Sequence, residues 1–132
     1  MSENLDLVRS IFADWERGDF SSAEWAHPEI VFESTGFDSR KAVGVADMNQ
    51  RWREWMSVWD EYRSEADEFQ ELDGGRVLVL MRHGGRGKGS GVSIEGVTMP
   101  GANVFHLRDG KVTRLELWWD RDRALADLGL AD

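Results

Sequence analysis

Three histidines, His27, His83 and His106, are the side chains of this sequence best suited to moving protons near neutral pH, and imidazole is also a common metal ligand. Their spacing fits neither a helical nor a strand repeat that would gather them on one face, so no metal site is expected. His27 precedes Pro28 and is expected to order that turn. His83 closes an apolar run beside a glycine-rich segment, where an exposed or hydrogen-bonded histidine is expected rather than a catalytic one. His106 alternates with Phe105 and Leu107 and so points away from the face they share. The absence of cysteine rules out thiolate chemistry and disulfides. Residues 84–91, G-G-R-G-K-G-S-G, invite a phosphate-loop reading but fail it. Gly89, not Ser or Thr, follows Gly87-Lys88, and no helix start is expected after it to hold an anion. A hairpin end is expected there instead.

Seven tryptophans, at positions 15, 25, 52, 55, 59, 118 and 119, are more than a core of this size needs. Each brings a large ring and an N–H that wants a partner. The excess points to an aromatic-lined cavity, an interface, or both.

A chain of 132 residues with 41% hydrophobic and 31% charged residues is expected to form one domain with a real core, of the α+β class by the order of its elements given below. The net charge of −9 disfavours nucleic acid as a partner, and the small basic cluster Arg82, Arg86 and Lys88 reads as a solvated hairpin end. No run is long and apolar enough for a membrane span, and Met1-Ser2-Glu3-Asn4 does not resemble the start of a signal peptide. These features, with the lack of cysteine, fit the cytoplasm.

The elements that must position these residues follow from periodicity. Leu5, Val8, Phe12 and Trp15 form one helical stripe that ends at Gly18. A short helical turn, S-A-E-W-A, is expected before His27-Pro28, then a strand over Glu29 to Ser34 and a polar loop. Met48, Trp52, Trp55, Met56 and Trp59 make the clearest amphipathic pattern, predicting a helix from about Ala46 to Asp60. Tyr62 to Leu72 reads as an exposed, twisted strand, and Asp73-Gly74-Gly75 as a hairpin turn. Arg76 to His83 is apolar on both faces, so both are expected to be covered. Two long strands flank Asp109-Gly110, a strong hairpin signal, and Pro100-Gly101 suggests a bend in the first of them. A short helix with Ala124, Leu125 and Leu128 facing inward closes the chain. Helices first and then a four-strand meander predict a curved antiparallel sheet wrapped around helices, a cone with an internal pocket.

In this order the motifs resemble the SnoaL-like group of the nuclear transport factor two-like cone fold. The resemblance rests on R-G-D-F after the first helix, H-P-E-I-V-F, W-R-E-W-M-S-V-W, R-G-K-G-S-G, and V-F-H-L-R-D-G-K-V-T-R-L. The resemblance implies fold more than chemistry, because the group contains polyketide cyclases, ketosteroid-isomerase-like and epoxide-hydrolase-like enzymes, and many proteins of unknown activity. The acid/base His and Asp of the cyclases would fall at Leu115 and Leu117, so aldol cyclisation by that route is not expected. The ketosteroid-isomerase-like enzymes carry a protonated acid at the place of Asn103 and a carboxylate base at the place of Glu33. This implies Glu33 as base and Asn103 as an oxyanion donor, although Asn103 could equally satisfy buried backbone. Their phenolic donor falls at Ile11, which cannot donate.

The pocket wall is expected to include Trp15, Phe32, Trp55 and Trp59 from the helices and first strand. Phe105, Leu115, Leu117 and Trp119 are expected to add the back wall. On the opposite sheet face Leu78, Leu80, Val104, His106 and Trp118 form an apolar patch, and relatives dimerise through that face, so a homodimer is expected. The resulting expectation is a pocket for a small hydrophobic molecule with cofactor-free, isomerase-like proton transfer. The alternatives are a non-catalytic binding or scaffold protein, and an interaction module whose pocket is filled by its own tryptophans.

Overall fold

A computed structural model describes residues 3–17, 24–35, 41–57, 59–72, 74–87, 93–118 and 120–130; within these, the side chains of 35, 55, 56, 59–62, 85–87 and 93–98 are not described. In chain order the elements are α1 (Glu3–Glu16), β1 (Ala26–Thr35), β2 (Lys41–Val43), α2 (Val45–Ser57), β3 (Trp59–Leu72), β4 (Arg76–Gly87), β5 (Ser93–Arg108), β6 (Lys111–Trp118) and α3 (Arg121–Asp127). The six strands form one sheet in the order β2-β1-β6-β5-β4-β3. The meander β3 to β6 is antiparallel as expected, but β1 lies parallel to β6, so the sheet is mixed.

Two hairpins follow directly from backbone chemistry. Asp109 and Gly110 have φ of 53° and 77°, and Gly74 and Gly75 have φ of 74° and 75°. Positive φ at both central residues is the twist-compatible two-residue turn, which Asp-Gly and Gly-Gly adopt at low cost. Near the second turn, Leu107 N–H donates to the Gly75 carbonyl at 2.8 Å and binds the β3–β4 turn to β5.

Several boundaries depart from the sequence reading. Ala26 already belongs to β1, so the expected S-A-E-W-A turn does not extend past Trp25; its first residues lie outside the described part. Pro28 sits where the β1–β6 register shifts between Ala26 and Val31, a place where its missing N–H costs nothing. His27 Nδ1 accepts from the Glu29 amide at 3.0 Å, the ordering role expected of it. β2 was not anticipated: three residues are too few for periodicity to reveal. α2 stops at Ser57, and Trp59 starts β3 instead of ending the helix. β4 runs on through Gly84–Gly87, and β5 is one strand from Ser93 to Arg108 through Pro100-Gly101, with the irregularity in the β4–β5 ladder falling between His83 and Gly85.

The sheet has two dissimilar faces. Its inner face packs against α1 and α2 through Val8, Ile11, Phe12, Trp15, Ile30, Phe32, Met48, Val77, Val79, Met81, Phe105, Leu107, Val112 and Leu115. Val112 and Leu115 are three apart yet both face inward, because the β5–β6 register shifts between His106 and Leu107. The outer face carries a second cluster, Leu78, Ala102 and Val104, packed under Ala124 of α3, with Leu72, Leu80, Trp118, Leu125 and Leu128 around it. Coverage on both sides explains why β4 does not alternate in polarity. It also changes the reading of the outer patch: much of its apolar surface is covered by α3 of the same chain.

α3 is fixed at its start. Asp120 caps its start, accepting from the amides of Asp122 and Arg123. Arg121 donates to the Met81 carbonyl at 2.7 Å, to the Gly101 carbonyl at 3.3 Å and to Asp67 at 2.8 Å.

Candidate functional site

The centre of the inner face is aromatic. Trp15 stacks on Trp52 with ring centres 5.3 Å apart and touches Phe12, Phe105 and Trp25 at 5.4, 5.9 and 6.2 Å. Phe32 meets Trp52 edge-on at 5.6 Å. Such ring pairs each add about 0.5–1.5 kcal/mol beyond the area they bury. Each ring is delivered by local structure. Trp15 ends the buried stripe of α1. Trp52 lies one turn after the buried Met48 on α2. Trp25 is held by its carbonyl, which accepts from Val112 N–H at 2.8 Å.

A small cleft opens beside this cluster, lined by Trp15, Trp25, Phe32, Met48, Asn49, Trp52 and Leu115. Its free volume is about 10 Å³, room for about one water molecule.

The expected wall residues divide clearly. Trp15, Phe32, Phe105 and Leu115 are buried together on the inner face, and Leu117 packs at its margin. The side chains of Trp55 and Trp59, and all of Trp119, lie outside the described residues. Trp25, Met48, Asn49 and Trp52 line the cleft without having been placed in it from sequence. The helical stripe already contained Met48 and Trp52, but it could not show which rings border a void.

The expected catalytic pair does not converge. Asn103 lies inward on β5, 4% exposed, opposite Val79 and Leu117. Glu33 lies on the outer face of β1. Phe32 beside it faces inward against Leu115, and strand alternation turns Glu33 the other way, opposite Glu116. Its carboxylate accepts from Arg114 Nη2 at 2.7 Å and lies 3.6 Å from Lys41 Nζ. A base at Glu33 facing a donor at Asn103 across one cavity is thus corrected: the sheet stands between them.

Two further polar residues share the inner face with Asn103. His83, 2% exposed, is buried rather than exposed at a strand end, and Ser64 opposite it in register is 4% exposed. The run Tyr62–Leu72 is accordingly not an exposed strand throughout, because Ser64, Ala66 and Phe69 turn inward. On the outer face, His106 Nε2 and Glu116 Oε2 are 2.8 Å apart. The hydrogen bond with His106 holds the Glu116 carboxyl below its ordinary range, against the opposing effect of burial and with help from the charges of His106, Arg114 and Arg76. Among the described residues, no group of three His, Asp or Glu side chains is arranged to hold a metal. No helix among them is long and apolar enough to cross a membrane.

Helices α1 and α2 packed into a curved sheet, with an aromatic cluster between, define an α+β cone fold of the nuclear transport factor two-like kind. The sequence profile of the SnoaL-like domain matches residues 8–115, and the chain belongs to that family. Among solved structures, TerC co-crystallised with polyporic acid is similar over 98% of each chain at 22% identity and a TM-score of 0.73. A proposed polyketide cyclase from Sinorhizobium meliloti is 26% identical, covering 85% of this chain and 93% of its own, with a TM-score of 0.66. A hypothetical protein of ketosteroid-isomerase-like fold from Catenulispora acidiphila, in complex with trimethylamine, is 14% identical over 95% of this chain and 93% of its own, with a TM-score of 0.72. No protein of curated function matches the sequence.

Proposed function

We propose that this protein binds a small, flat, largely apolar molecule between α2 and the inner face of the sheet. The ligand enters at the cleft beside the Trp15–Trp52 stack, and the Asn103 amide donates to one of its oxygens. The observation that carries this reading is the cleft itself: three tryptophans and a phenylalanine border it, and Asn49 is exposed at its rim. Stacked rings offer a flat ligand a low-entropy platform, and Trp52 can move aside by rotamer change to admit one. Trp55, Trp59, Trp119 and Leu117 extend the wall on sequence grounds. TerC, co-crystallised with polyporic acid, supports a small organic molecule as the ligand.

Titration of intrinsic tryptophan fluorescence tests the reading, with polyporic acid, a steroid panel and trimethylamine as probes. Saturable quenching by a flat probe, lost in Trp52→Ala, supports it. Absence of any saturable response across the set overturns it. A response to trimethylamine alone would instead assign the rings to a cation–π cage.

Cofactor-free proton transfer is the second reading, favoured by the buried polar groups His83 and Asn103 on the same face. Glu33 has no part in it. A homodimer through the outer face would use the side away from α3, where Val31 and Val43 flank the Glu33–Arg114 pair; sedimentation equilibrium reads it directly.

A further inference from the structure

The polarity of the cleft is concentrated in one residue. Among the described residues, the side chains that line it are aromatic or aliphatic except Asn49, which alone brings an oxygen. Its amide both donates and accepts, so it can meet a hydroxyl or a carbonyl. None of these lining side chains is charged.

Local structure fixes Asn49 relative to the rings. Gly44 N–H donates to the Ile30 carbonyl at 2.7 Å, and the Gly44 carbonyl accepts from Met48 N–H at 2.9 Å. These bonds pin the first turn of α2 to β1, and the left-handed φ of 91° at Gly44 sets the angle at which the helix leaves β2. Met48 is buried beneath, and Asn49 next to it is exposed at the rim. Trp52 follows Asn49 by three residues, so the two side chains share a face about 4.5 Å apart along the helix axis. A ring lying beside Trp52 therefore brings an oxygen attached directly to it within reach of the Asn49 amide.

The charges of α2 lie elsewhere. Asp47 stands two residues before Asn49 and hence off its face. Arg51 and Glu54 pair with each other at 3.2 Å. An ion in the cleft would lose its hydration with no counter-charge in the lining, and the ring faces return less than this to a cation. An anion is opposed further by the net charge of −9.

We propose that Asn49 is the specificity-determining contact of this cleft, its amide holding the oxygen of a neutral ligand that carries a hydroxyl or carbonyl directly on a planar ring system. The rings of the cleft accept the apolar body of the ligand, and Asn49 sets which end faces out. Ionised acids and amines of the same shape are rejected. This assignment rests on the reading of the cleft as a ligand site and names the class of molecule it takes.

Calorimetric titration of the whole protein at pH 7 tests this with probes on one skeleton: naphthalene, 2-naphthol, 2-naphthoate and 2-naphthylmethylammonium. The wild type is expected to bind 2-naphthol, and each of the two ions at least about tenfold more weakly. Asn49→Leu changes an exposed helical position, where substitutions leave the fold intact. It is expected to weaken 2-naphthol about fivefold relative to naphthalene, the worth of one neutral hydrogen bond. An unchanged ratio of the two affinities overturns the role of Asn49 while the ligand site stands. Binding of either ion as tightly as 2-naphthol overturns the neutral class, again with the ligand site standing. Failure of the wild type to bind any of the probes overturns the ligand site and this inference together.

Discussion

Glu33 and Asn103 stand on opposite faces of the same sheet, Glu33 bonded to Arg114 at 2.7 Å and Asn103 buried among the inner-face side chains. Glu33→Gln is therefore expected to leave ligand affinity within about twofold of wild type. Its cost in stability should not exceed about 1 kcal/mol, because the Arg114 partner is partly exposed and such pairs contribute little. Chemical denaturation beside a binding titration checks both. A large loss of affinity in this variant would return the carboxylate to the ligand site.

Two carboxylates should set the acid limit of stability. Burial raises Asp67, but hydrogen bonds from Arg121 and Arg82 more than offset it and hold Asp67 below its ordinary 3.8; Glu116 is held below 4.5 by its hydrogen bond to His106. A depressed folded pKa contributes stability that is complete above the unfolded value and is lost as pH falls through the lower folded one. Melting temperature should thus fall between about pH 5 and pH 2, and less steeply in Asp67→Asn and Glu116→Gln than in the wild type. Equal slopes in all three proteins would remove these groups from the acid response.

The glycines of the β3–β4 turn should not be equivalent. Both have positive φ, yet a Cβ at Gly74 meets nothing, whereas one at Gly75 comes 2.6 Å from the Leu107 carbonyl oxygen. Gly74→Ala is expected to cost about 1–2 kcal/mol, the ordinary left-handed penalty. Gly75→Ala should cost clearly more, because backbone must shift and the bond to Leu107 N–H is strained. Urea melts of the two variants give the difference.

Trp15 and Trp52 should separate stability from binding. Trp15 is buried beneath four rings, so Trp15→Ala is expected to cost about 3–5 kcal/mol. Trp52 is only partly buried, so Trp52→Phe should fold with a smaller loss and show its main effect on ligand affinity. Denaturation and fluorescence titration of the pair would read the two effects independently.

The fold was largely legible in the sequence because its signals are local. Asp109-Gly110 and Gly74-Gly75 specify turns, and the stripes of α1 and α2 and the apolar run of β4 specify what each element buries. Strand parity correctly put Asn103, Phe105 and Leu115 on one face and Glu116 and Trp118 on the other. Glu33 was misplaced because its role came from motif resemblance, whereas the alternation Phe32-in, Glu33-out was available in the sequence and decides the matter. His83, expected to be exposed or hydrogen-bonded at a strand end, is buried, because β4 continues to Gly87 with β3 and β5 on either side. The parallel pairing of β1 with β6 is a long-range contact that no local pattern encodes.

Tryptophan indole N–H resonances of the 15N-labelled protein, assigned by Trp-to-Phe variants, test the ligand site most directly. On titration with 2-naphthol, the signals of Trp15, Trp25 and Trp52 are expected to shift together and saturably, while Trp118, on the far side of the sheet under α3, stays in place. Shifts confined to Trp118, or no saturable shift at the other three, would contradict a ligand site between α2 and the inner face.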